Sequence, residues 1–228
     1  MRGNAFSWIA GSTQLSTIAT VMAYRAYGTT GCSGAPTVTV TCGALRTYHV
    51  PLAPYTLVPP TVRNDVLYMT ADDGKLTAFD ALGGTTTCSG TPRTCTPIWQ
   101  TSGTGLGSRS PLAVSDAFAY VNTTDGFASY GVRAVDLATH ALAWTGTKGA
   151  QNNGNGGYGA VVAGGVLFVG SSYDSSVYGY DASGCGQATC APLWHYTTGN
   201  SITGSPVVAD GMMYVASRDG FVRGFALP

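Results

Sequence analysis

The amino-acid sequence predicts an all-β fold assembled from repeated antiparallel strands, and three observations support this prediction. The chain of 228 residues contains four copies of one strand-and-turn pattern. Its composition is rich in Gly, Thr, Val and Tyr and includes no Glu, a bias that favours strands and turns over helices. A tryptophan also recurs at one place in the pattern, at Trp99, Trp144 and Trp194.

Each copy of the pattern contains the same strands in the same order. A short strand follows Pro or Gly, and a turn leads into a second, apolar strand. An Asp-Gly or Asp-Ser pair comes next, and we expect a type I′ hairpin turn there because Gly and Asp tolerate positive φ. A third strand and a fourth strand that carries the tryptophan complete the copy. The central aromatics of the second strands are Tyr68, Tyr120, Phe168 and Tyr214.

Four antiparallel strands repeated at this period indicate the blades of a β-propeller. One four-stranded sheet cannot bury both of its faces, whereas radial packing of successive sheets buries them. One tryptophan per blade supplies a large flat surface for each interface between blades. We therefore predict that Trp99, Trp144 and Trp194 dock successive blades. A β-sandwich of unrelated hairpins is the alternative, but it does not explain the matched tryptophan positions.

The stretches "SPVVADGMMYVASRDG" and "VLYMTADDGKLTAFDA" followed by "PIW" resemble the pyrroloquinoline-quinone-like (PQQ-like) propeller repeat. The similarity covers about residues 57–227. It implies a member of a superfamily that includes quinoprotein dehydrogenases, an outer-membrane assembly lipoprotein and bacterial receptor ectodomains. It also implies that the first strand of each blade lines a central channel, and that six to eight blades close the ring.

We predict one incomplete propeller domain over residues 1–228, with about four and a half blades. The first unit lacks its innermost strand and the last lacks its tryptophan strand, so the chain is expected to be part of a seven- or eight-bladed ring. The missing blades would belong to the same polypeptide. A smaller ring in which the two termini complete one shared blade is the alternative. The predicted units are a partial blade at 1–50, blades at about 57–103, 110–147 and 159–199, and a partial blade at 205–228.

Six cysteines form three close pairs, each in the loop between the third and fourth strands of a blade. Cysteines that occur in pairs within one loop indicate local disulfides, and metal binding or free thiols are the alternatives. Disulfides persist in oxidising compartments, so we expect an extracytoplasmic protein that is secreted, periplasmic or at the cell surface. The export signal would lie outside this chain. The pairs are Cys32 with Cys42, Cys88 with Cys95, and Cys185 with Cys190.

Charge and hydropathy exclude two classes of partner. The chain has 11 basic and 11 acidic residues and no basic stripe, so no nucleic-acid partner is expected. The longest apolar runs, about five residues, are far shorter than the roughly 20 residues that cross a bilayer, so no membrane span is expected.

No catalytic site, metal site or cofactor is expected from the sequence. The Asp residues fall in repeated turns, the three His are scattered, and neither a nucleophile elbow nor a phosphate-binding loop is present. As the resemblance implies, a quinoprotein dehydrogenase would need PQQ on a channel-facing Trp and calcium held by Glu, Asn and Asp. The chain has no Glu and its tryptophans occupy the docking position. A fragment of a PQQ-dependent dehydrogenase is kept as one alternative, and the sensor ectodomain of a membrane receptor as another.

We therefore expect a scaffold or binding domain whose partner is a protein or a glycan. The loops from fourth to first strands and from second to third strands emerge on one face, where Tyr, Asn and isolated charges suit a polar partner. The formal glycosylation acceptor at Asn122 is expected to be a chance match. The candidate residues of the binding face are Asp72, Arg109, Tyr130, Lys148, Asn152, Asn153, Tyr158, Tyr173, Asn200 and Arg218.

Overall fold

A computed structural model of the chain describes eleven stretches, within which all regular secondary structure is β-strand. The same stretches contain no helix with the length and apolar character needed to span a bilayer. The described residues are 6–11, 18–25, 32–33, 41–51, 58–70, 74–91, 93–102, 111–124, 130–148, 159–202 and 204–227.

The first sheet includes three antiparallel strands from the N-terminal part of the chain. These are β1 (Phe6–Gly11), β2 (Ile18–Arg25) and, after the separate short hairpin of β3 (Cys32–Ser33) and β4 (Thr41–Cys42), β5 (Arg46–Pro51). Cys32 and Cys42 are opposite each other in the β3–β4 ladder, as a local disulfide requires, but their side chains lie outside the described part of the structure.

The second, third and fourth sheets each contain four antiparallel strands that follow one another in the chain, apart from short cysteine-containing strands that pair with the preceding sheet, and the fifth contains three. The second sheet comprises β6 (Thr61–Arg63), β7 (Val66–Thr70), β8 (Leu76–Asp80) and, after β9 (Cys88–Ser89) and β10 (Arg93–Cys95), β11 (Trp99–Gln100). The third comprises β12 (Ala113–Val114), β13 (Phe118–Thr124), β14 (Tyr130–Asp136) and β15 (Leu142–Gly146). The fourth comprises β16 (Val161–Ala163), β17 (Val166–Ser171), β18 (Ser176–Asp181) and, after β19 (Thr189–Cys190), β20 (Trp194–Thr197). The fifth comprises β21 (Val207–Ala209), β22 (Met212–Ala216) and β23 (Val222–Ala226).

Successive sheets bury their apolar faces against each other, and at each described interface between sheets, called a seam here, an aromatic side chain from a fourth strand is packed. Trp144 is 3% exposed, whereas Trp99 and Trp194 are partly buried. Each of these indoles packs in a cluster that joins its own sheet to the next. Tyr48 takes the equivalent place between the first and second sheets. This arrangement confirms the predicted all-β propeller architecture of four-stranded antiparallel sheets. The blade boundaries and the size of the ring stay predictions.

Tyr48 packs between the first and second sheets with a ring smaller than an indole, and its hydroxyl adds a hydrogen bond across the interface. Its ring lies 5.4 Å from that of Phe79 in the second sheet, and its hydroxyl donates to the carbonyl of Ala81 at 3.2 Å. Burial raises the pKa of Tyr48 to about 12, so the hydroxyl remains a donor at neutral pH. A tyrosine can therefore replace tryptophan here, because the turn of the next sheet supplies an acceptor.

The cysteine-containing loops extend the sheet of the preceding blade, which the sequence did not predict. The hairpin of β9 and β10 adds to the first sheet through a parallel pairing of β10 with β5, in which Cys95 is opposite Tyr48. In the same way β19 pairs in parallel with β15 of the third sheet, with Cys190 opposite Gly146. We call these disulfide-closed segments, residues 88–95 and 185–190, the clips. Each clip therefore links two neighbouring blades.

The expectation of a type I′ turn between second and third strands is wrong for the two hairpins that the structure describes fully. Those loops span residues 172–175 and 217–221, and their positive-φ residues are single, Ser175 and Gly220. A two-residue type I′ turn needs positive φ at both central residues. That geometry occurs instead between first and second strands, at Asn64-Asp65, Gly164-Gly165 and Asp210-Gly211.

The Asp residues that end the third strands stabilise turns. The Asp80 carboxylate accepts backbone N–H groups from Leu82 at 2.8 Å and Gly84 at 2.6 Å. The Asp136 carboxylate accepts from two backbone N–H groups of the following turn, and these hydrogen bonds hold the pKa of Asp136 below its usual range. Asp181 makes the equivalent contacts with Ser183. These carboxylates therefore stabilise the turns that follow the third strands, as the repeat pattern indicated.

Candidate functional site

The predicted binding face is only partly covered by the described structure. Tyr130 is the first residue of β14, at the end of the hairpin from β13, but its side chain is not described. Lys148, Tyr173, Asn200 and Arg218 are described, and all four are exposed. The predicted positions Asp72, Arg109, Asn152, Asn153 and Tyr158 lie outside the described residues.

Three of these four residues lie on loops that hydrogen bonds connect across the fourth and fifth sheets. Thr198, which precedes the loop of Asn200, donates its N–H to the carbonyl of Ser175 in the hairpin that carries Tyr173, at 2.7 Å. The hydroxyl of Ser217 donates to the carbonyl of Asn200 at 2.8 Å. The hairpin of Tyr173, the loop of Asn200 and the hairpin of Arg218 are therefore held together by hydrogen bonds to backbone carbonyls.

Arg218 is fixed to the same loop through its backbone. Its N–H donates to the carbonyl of Ser201 at 2.9 Å, and an isolated β-bridge joins Ile202 to Ser217. Ile202 is fully buried in the seam between the fourth and fifth sheets. The Arg218 side chain is therefore exposed, while the backbone of Arg218 is held in place by the hydrogen bond to Ser201.

Asp219 forms an ion pair and backbone hydrogen bonds beside these loops. Its carboxylate accepts two hydrogen bonds from the Arg223 guanidinium, at 2.7 and 3.1 Å, and one from the N–H of Gly199 at 2.9 Å. It also accepts from the N–H of Phe221 at 3.1 Å. The paired guanidinium and then the backbone donors hold the pKa of Asp219 well below its usual range.

A titration of Asp219 tests this network. Because the pKa is lowered in the folded protein, the ionised form favours folding above about pH 4, the pKa of an unperturbed Asp, and that contribution is lost as pH falls through the folded pKa. Carbon-detected NMR should show the Asp219 carboxyl still ionised at about pH 3. Arg223→Gln should raise this pKa toward about 3.9, whereas Arg218→Gln should not. An unchanged pKa in Arg223→Gln would contradict the ion pair.

Phe221 belongs to this surface and was missed by sequence reasoning. Its side chain is 63% exposed, and the Arg223 guanidinium carbon lies 5.2 Å from its ring centre. An apolar residue directly after an Asp-Gly pair is a signal that could have identified it, since loop tips are usually polar. We call Tyr173, Asn200, Arg218 and Phe221 the loop patch.

Lys148 lies at the end of β15, and Tyr180 of the fourth sheet holds its backbone. Lys148 donates its N–H to the Tyr180 hydroxyl at 2.8 Å, and that hydroxyl donates to the Lys148 carbonyl at 2.7 Å. Burial raises the pKa of Tyr180 to about 12. The structure shows no contact that brings Lys148 to the described residues of the loop patch.

Asp174, in the hairpin of Tyr173, accepts a hydrogen bond from the Tyr178 hydroxyl. Burial, followed by this contact with a carboxylate, raises the pKa of Tyr178 to about 12. A phenol with this pKa is a donor and not a base at neutral pH. The other Asp174 oxygen, Oδ1, is buried and has no hydrogen-bond partner. The hydrogen bond between Tyr178 and Asp174 therefore fixes the hairpin.

The described histidines serve packing. The His140 ring stacks on Trp99 with ring centres 4.2 Å apart, and the His195 ring lies 5.9 Å from that of Tyr178. Within the described ranges no three His, Cys, Asp or Glu residues converge as metal ligands would. The expectations of no cofactor, no metal and no catalytic site stay predictions. Asn122 is 1% exposed, so this glycosylation acceptor is inaccessible in the folded protein.

The two clips that the structure describes are closed by disulfides. Cys88 is bonded to Cys95, and Cys185 to Cys190. Both pairs were predicted from their spacing within one loop.

The repeated sheets and the packed interfaces between them define a β-propeller, and comparison with known proteins agrees. Residues 128–227 match a family model described as "Outer membrane protein assembly factor BamB". This match confirms the resemblance to the PQQ-like repeat within residues 128–227. No curated protein is similar enough to count as a match.

Solved structures resemble the chain in fold. BamB from Moraxella catarrhalis is 21% identical, with a TM-score of 0.58 over 81% of this chain and 50% of that chain. The computationally designed Ika4 protein is 13% identical, with a TM-score of 0.53 over 75% of this chain and 90% of that one. The designed Ika8 protein is 14% identical, with a TM-score of 0.55 over 96% and 57%, respectively. The chain therefore spans about half the length of the BamB structure. At these identities the likeness shows the fold.

Proposed function

We propose that this chain is a non-catalytic binding domain of an extracytoplasmic β-propeller, and that the loop patch contacts a partner protein. The observation that carries this proposal is the anchored, exposed set of Tyr173, Arg218 and Phe221. Aromatic and Arg side chains are enriched among the residues that dominate binding energy. The loops that carry them are already held by hydrogen bonds, between loops at Arg218 and Ser175 and within the hairpin at Phe221, so less ordering entropy is lost on binding.

Two further observations support the proposal. Disulfide-closed clips suit an oxidising compartment, which supports an extracytoplasmic location. The family model that matches residues 128–227 is described as an assembly factor, a description that names no reaction. A glycan is the alternative partner, since exposed Tyr and Asn also suit sugars.

A capture experiment with matched variants tests the loop patch. The chain is immobilised and exposed to an extracytoplasmic extract of its source, and bound proteins are quantified by mass spectrometry. Tyr173→Ala, Arg218→Ala and Phe221→Ala should each weaken binding of one partner by about 5- to 30-fold, the equivalent of roughly 1–2 kcal/mol. Leu82→Ala, a change at a side chain that is 49% exposed in the loop between third and fourth strands, should have no effect. A partner held equally by the triple variant would refute this assignment, and binding on a glycan array alone would replace the protein with a sugar.

A further inference from the structure

The two clips that the structure describes differ in how solvent reaches their disulfides. In the first clip, residues 88–95, Cys88 is 6% exposed and Cys95 is 1% exposed. In the second clip, residues 185–190, Cys190 is 3% exposed but Cys185 is exposed. Thiol–disulfide exchange requires a thiolate to reach one of the two sulfur atoms. Of these two disulfides, only the bond between Cys185 and Cys190 therefore offers an accessible sulfur.

The residues on both sides of Cys185 leave space for an approaching thiol. Gly184 and Gly186 have positive φ angles of 89° and 72°, a backbone conformation that favours glycine. A Cβ at Gly186 would meet no heavy atom within 4 Å outside its chain neighbours. The sequence Gly-Cys-Gly therefore presents an exposed cysteine with no neighbouring side chain attached on either side.

The loop also holds backbone groups that suit the two sulfurs once their bond is broken. The N–H of Cys185 donates to Sγ of Cys190 at 3.0 Å, and this contact stabilises negative charge on Cys190 as it leaves. The Gln187 carbonyl lies 3.7 Å from the same sulfur, and the Thr189 carbonyl lies 3.6 Å from Sγ of Cys185. Each carbonyl is an acceptor for the S–H group of the reduced loop. Attack on Cys185 is therefore favoured over attack on Cys190 by access and by the leaving sulfur.

The second clip takes part in the seam between the third and fourth sheets. The N–H groups of Thr145 and Thr147 each donate to a carbonyl of the clip at 2.9 Å. Gly184, directly before the clip, covers the Trp144 indole so closely that a Cβ at Gly184 would lie 2.7 Å from it. Cleavage of the disulfide removes the covalent closure of the segment that makes these contacts.

We propose that the disulfide between Cys185 and Cys190 is a site of thiol–disulfide exchange with a dithiol, and that its reduction loosens the seam at Trp144. One thiolate of the dithiol attacks Sγ of Cys185, and the electron pair of the broken bond passes to Sγ of Cys190, which takes a proton from water. The second thiolate of the dithiol then attacks the sulfur of the first, and Cys185 leaves and is protonated. Two electrons have passed to the chain, whose disulfide is now two thiols, and the dithiol has become a disulfide.

A dithiol is needed because Cys190 stays in the same loop after the first step. With a monothiol, the Cys190 thiolate attacks the mixed disulfide at Cys185 and restores the original bond. A second thiol in the reductant competes with this return and completes the reduction. This site is separate from the loop patch, and the inference does not depend on the proposed function.

Timed reduction of the folded chain tests the reactivity. The chain is treated with dithiothreitol or with reduced thioredoxin, a protein dithiol, and samples are quenched with acid, alkylated and mapped by mass spectrometry. Cys185 and Cys190 should be released as thiols at least about 10-fold faster than Cys88 and Cys95. In guanidinium chloride the two pairs should react at similar rates, because the difference arises from the fold. Faster reduction by thioredoxin would assign the reductant to a protein, and faster reduction by dithiothreitol would assign it to a small thiol.

Hydrogen exchange measured by NMR tests the effect on the seam. In the folded chain with only the second clip reduced, the amides of Thr145 and Thr147 should exchange at least about 10-fold faster than in the oxidised chain. The amide of Leu137, which donates to the Ala117 carbonyl at 2.9 Å in the same sheet, is the control and should not change. Circular dichroism confirms that the reduced chain is folded.

Three results would overturn the proposal. The first is reduction of the two clips at the same rate in the folded chain, because the exposure of Cys185 would then have no chemical consequence. The second is a glutathione adduct on Cys190 instead of Cys185 after brief treatment and acid quenching, because the attacked sulfur would be the wrong one. The third is unchanged exchange at Thr145 and Thr147 after reduction, because the disulfide would then not hold the seam.

Discussion

Trp144→Ala should lower the free energy of unfolding by about 3–5 kcal/mol, the largest effect expected of a single substitution in this chain. The indole is 3% exposed and lies 6.2 Å from the ring of Tyr120 and 6.0 Å from that of Tyr180 in the next sheet. Its N–H has no hydrogen-bond partner, so the loss arises from packing alone. Urea denaturation followed by circular dichroism measures the change.

Two comparisons give this prediction its specificity. Trp144→Phe should retain much of the stability, because an aromatic ring still fills the seam and no hydrogen bond is lost. Trp99→Ala should cost less than Trp144→Ala, since Trp99 is only partly buried and one side of its ring meets His140. A loss below about 1 kcal/mol for Trp144→Ala would show that the seam does not depend on this indole.

Removal of the first clip's disulfide should have the second-largest effect. Cys88→Ala combined with Cys95→Ala should lower the free energy of unfolding by about 2–3 kcal/mol in the chain-entropy model for a loop of this size. Cys88 and Cys95 are both buried in the seam between the first and second sheets. Because β10 pairs with β5, the double substitution should also speed hydrogen exchange in β5, which mass spectrometry of the native protein measures.

The second clip provides the matched control. The double substitution of Cys185→Ala and Cys190→Ala should speed hydrogen exchange in β15 and leave exchange in β5 unchanged. Among the described strands, β19 pairs only with β15. Cys185 is exposed and only Cys190 is buried, so the loss of stability should be smaller than for the first clip. If exchange in β5 were the same in both double variants, the clips would not join neighbouring blades in the way described.

The packing between sheets could be predicted from the sequence because the aromatic residues that form it recur in each copy of the repeat. Each fourth-strand aromatic follows its second-strand aromatic at a similar interval, and both are large and apolar. The intra-clip disulfides could be predicted for the same reason, since the partners are close in the chain. The recurring order of these two aromatics within each unit of the chain therefore predicts how neighbouring units pack against each other.

Contacts between blades that depend on backbone pairing could not be predicted in this way. The parallel pairing of Arg93 with Arg46 joins segments far apart in the chain, and nothing in either segment's composition marks it. The exposure of Phe221 depends on the length of its hairpin, and Asn122 is buried because β13 is covered on both faces, as its neighbours Val121 and Thr123 also show. The binding-face residues were chosen by loop position alone, so their anchoring through Asp219 and Ser217 required the structure.

The central claim is that one fourth-strand aromatic lies between each sheet and the next around a common axis. Nuclear Overhauser contacts of the Trp144 indole test it most directly. Cross-peaks are expected to the Hα protons of Gly184 and to the ring of Tyr180, both in the unit that follows, as well as to Tyr120. Cross-peaks confined to the third sheet, or directed to strands of the first sheet, would contradict the account.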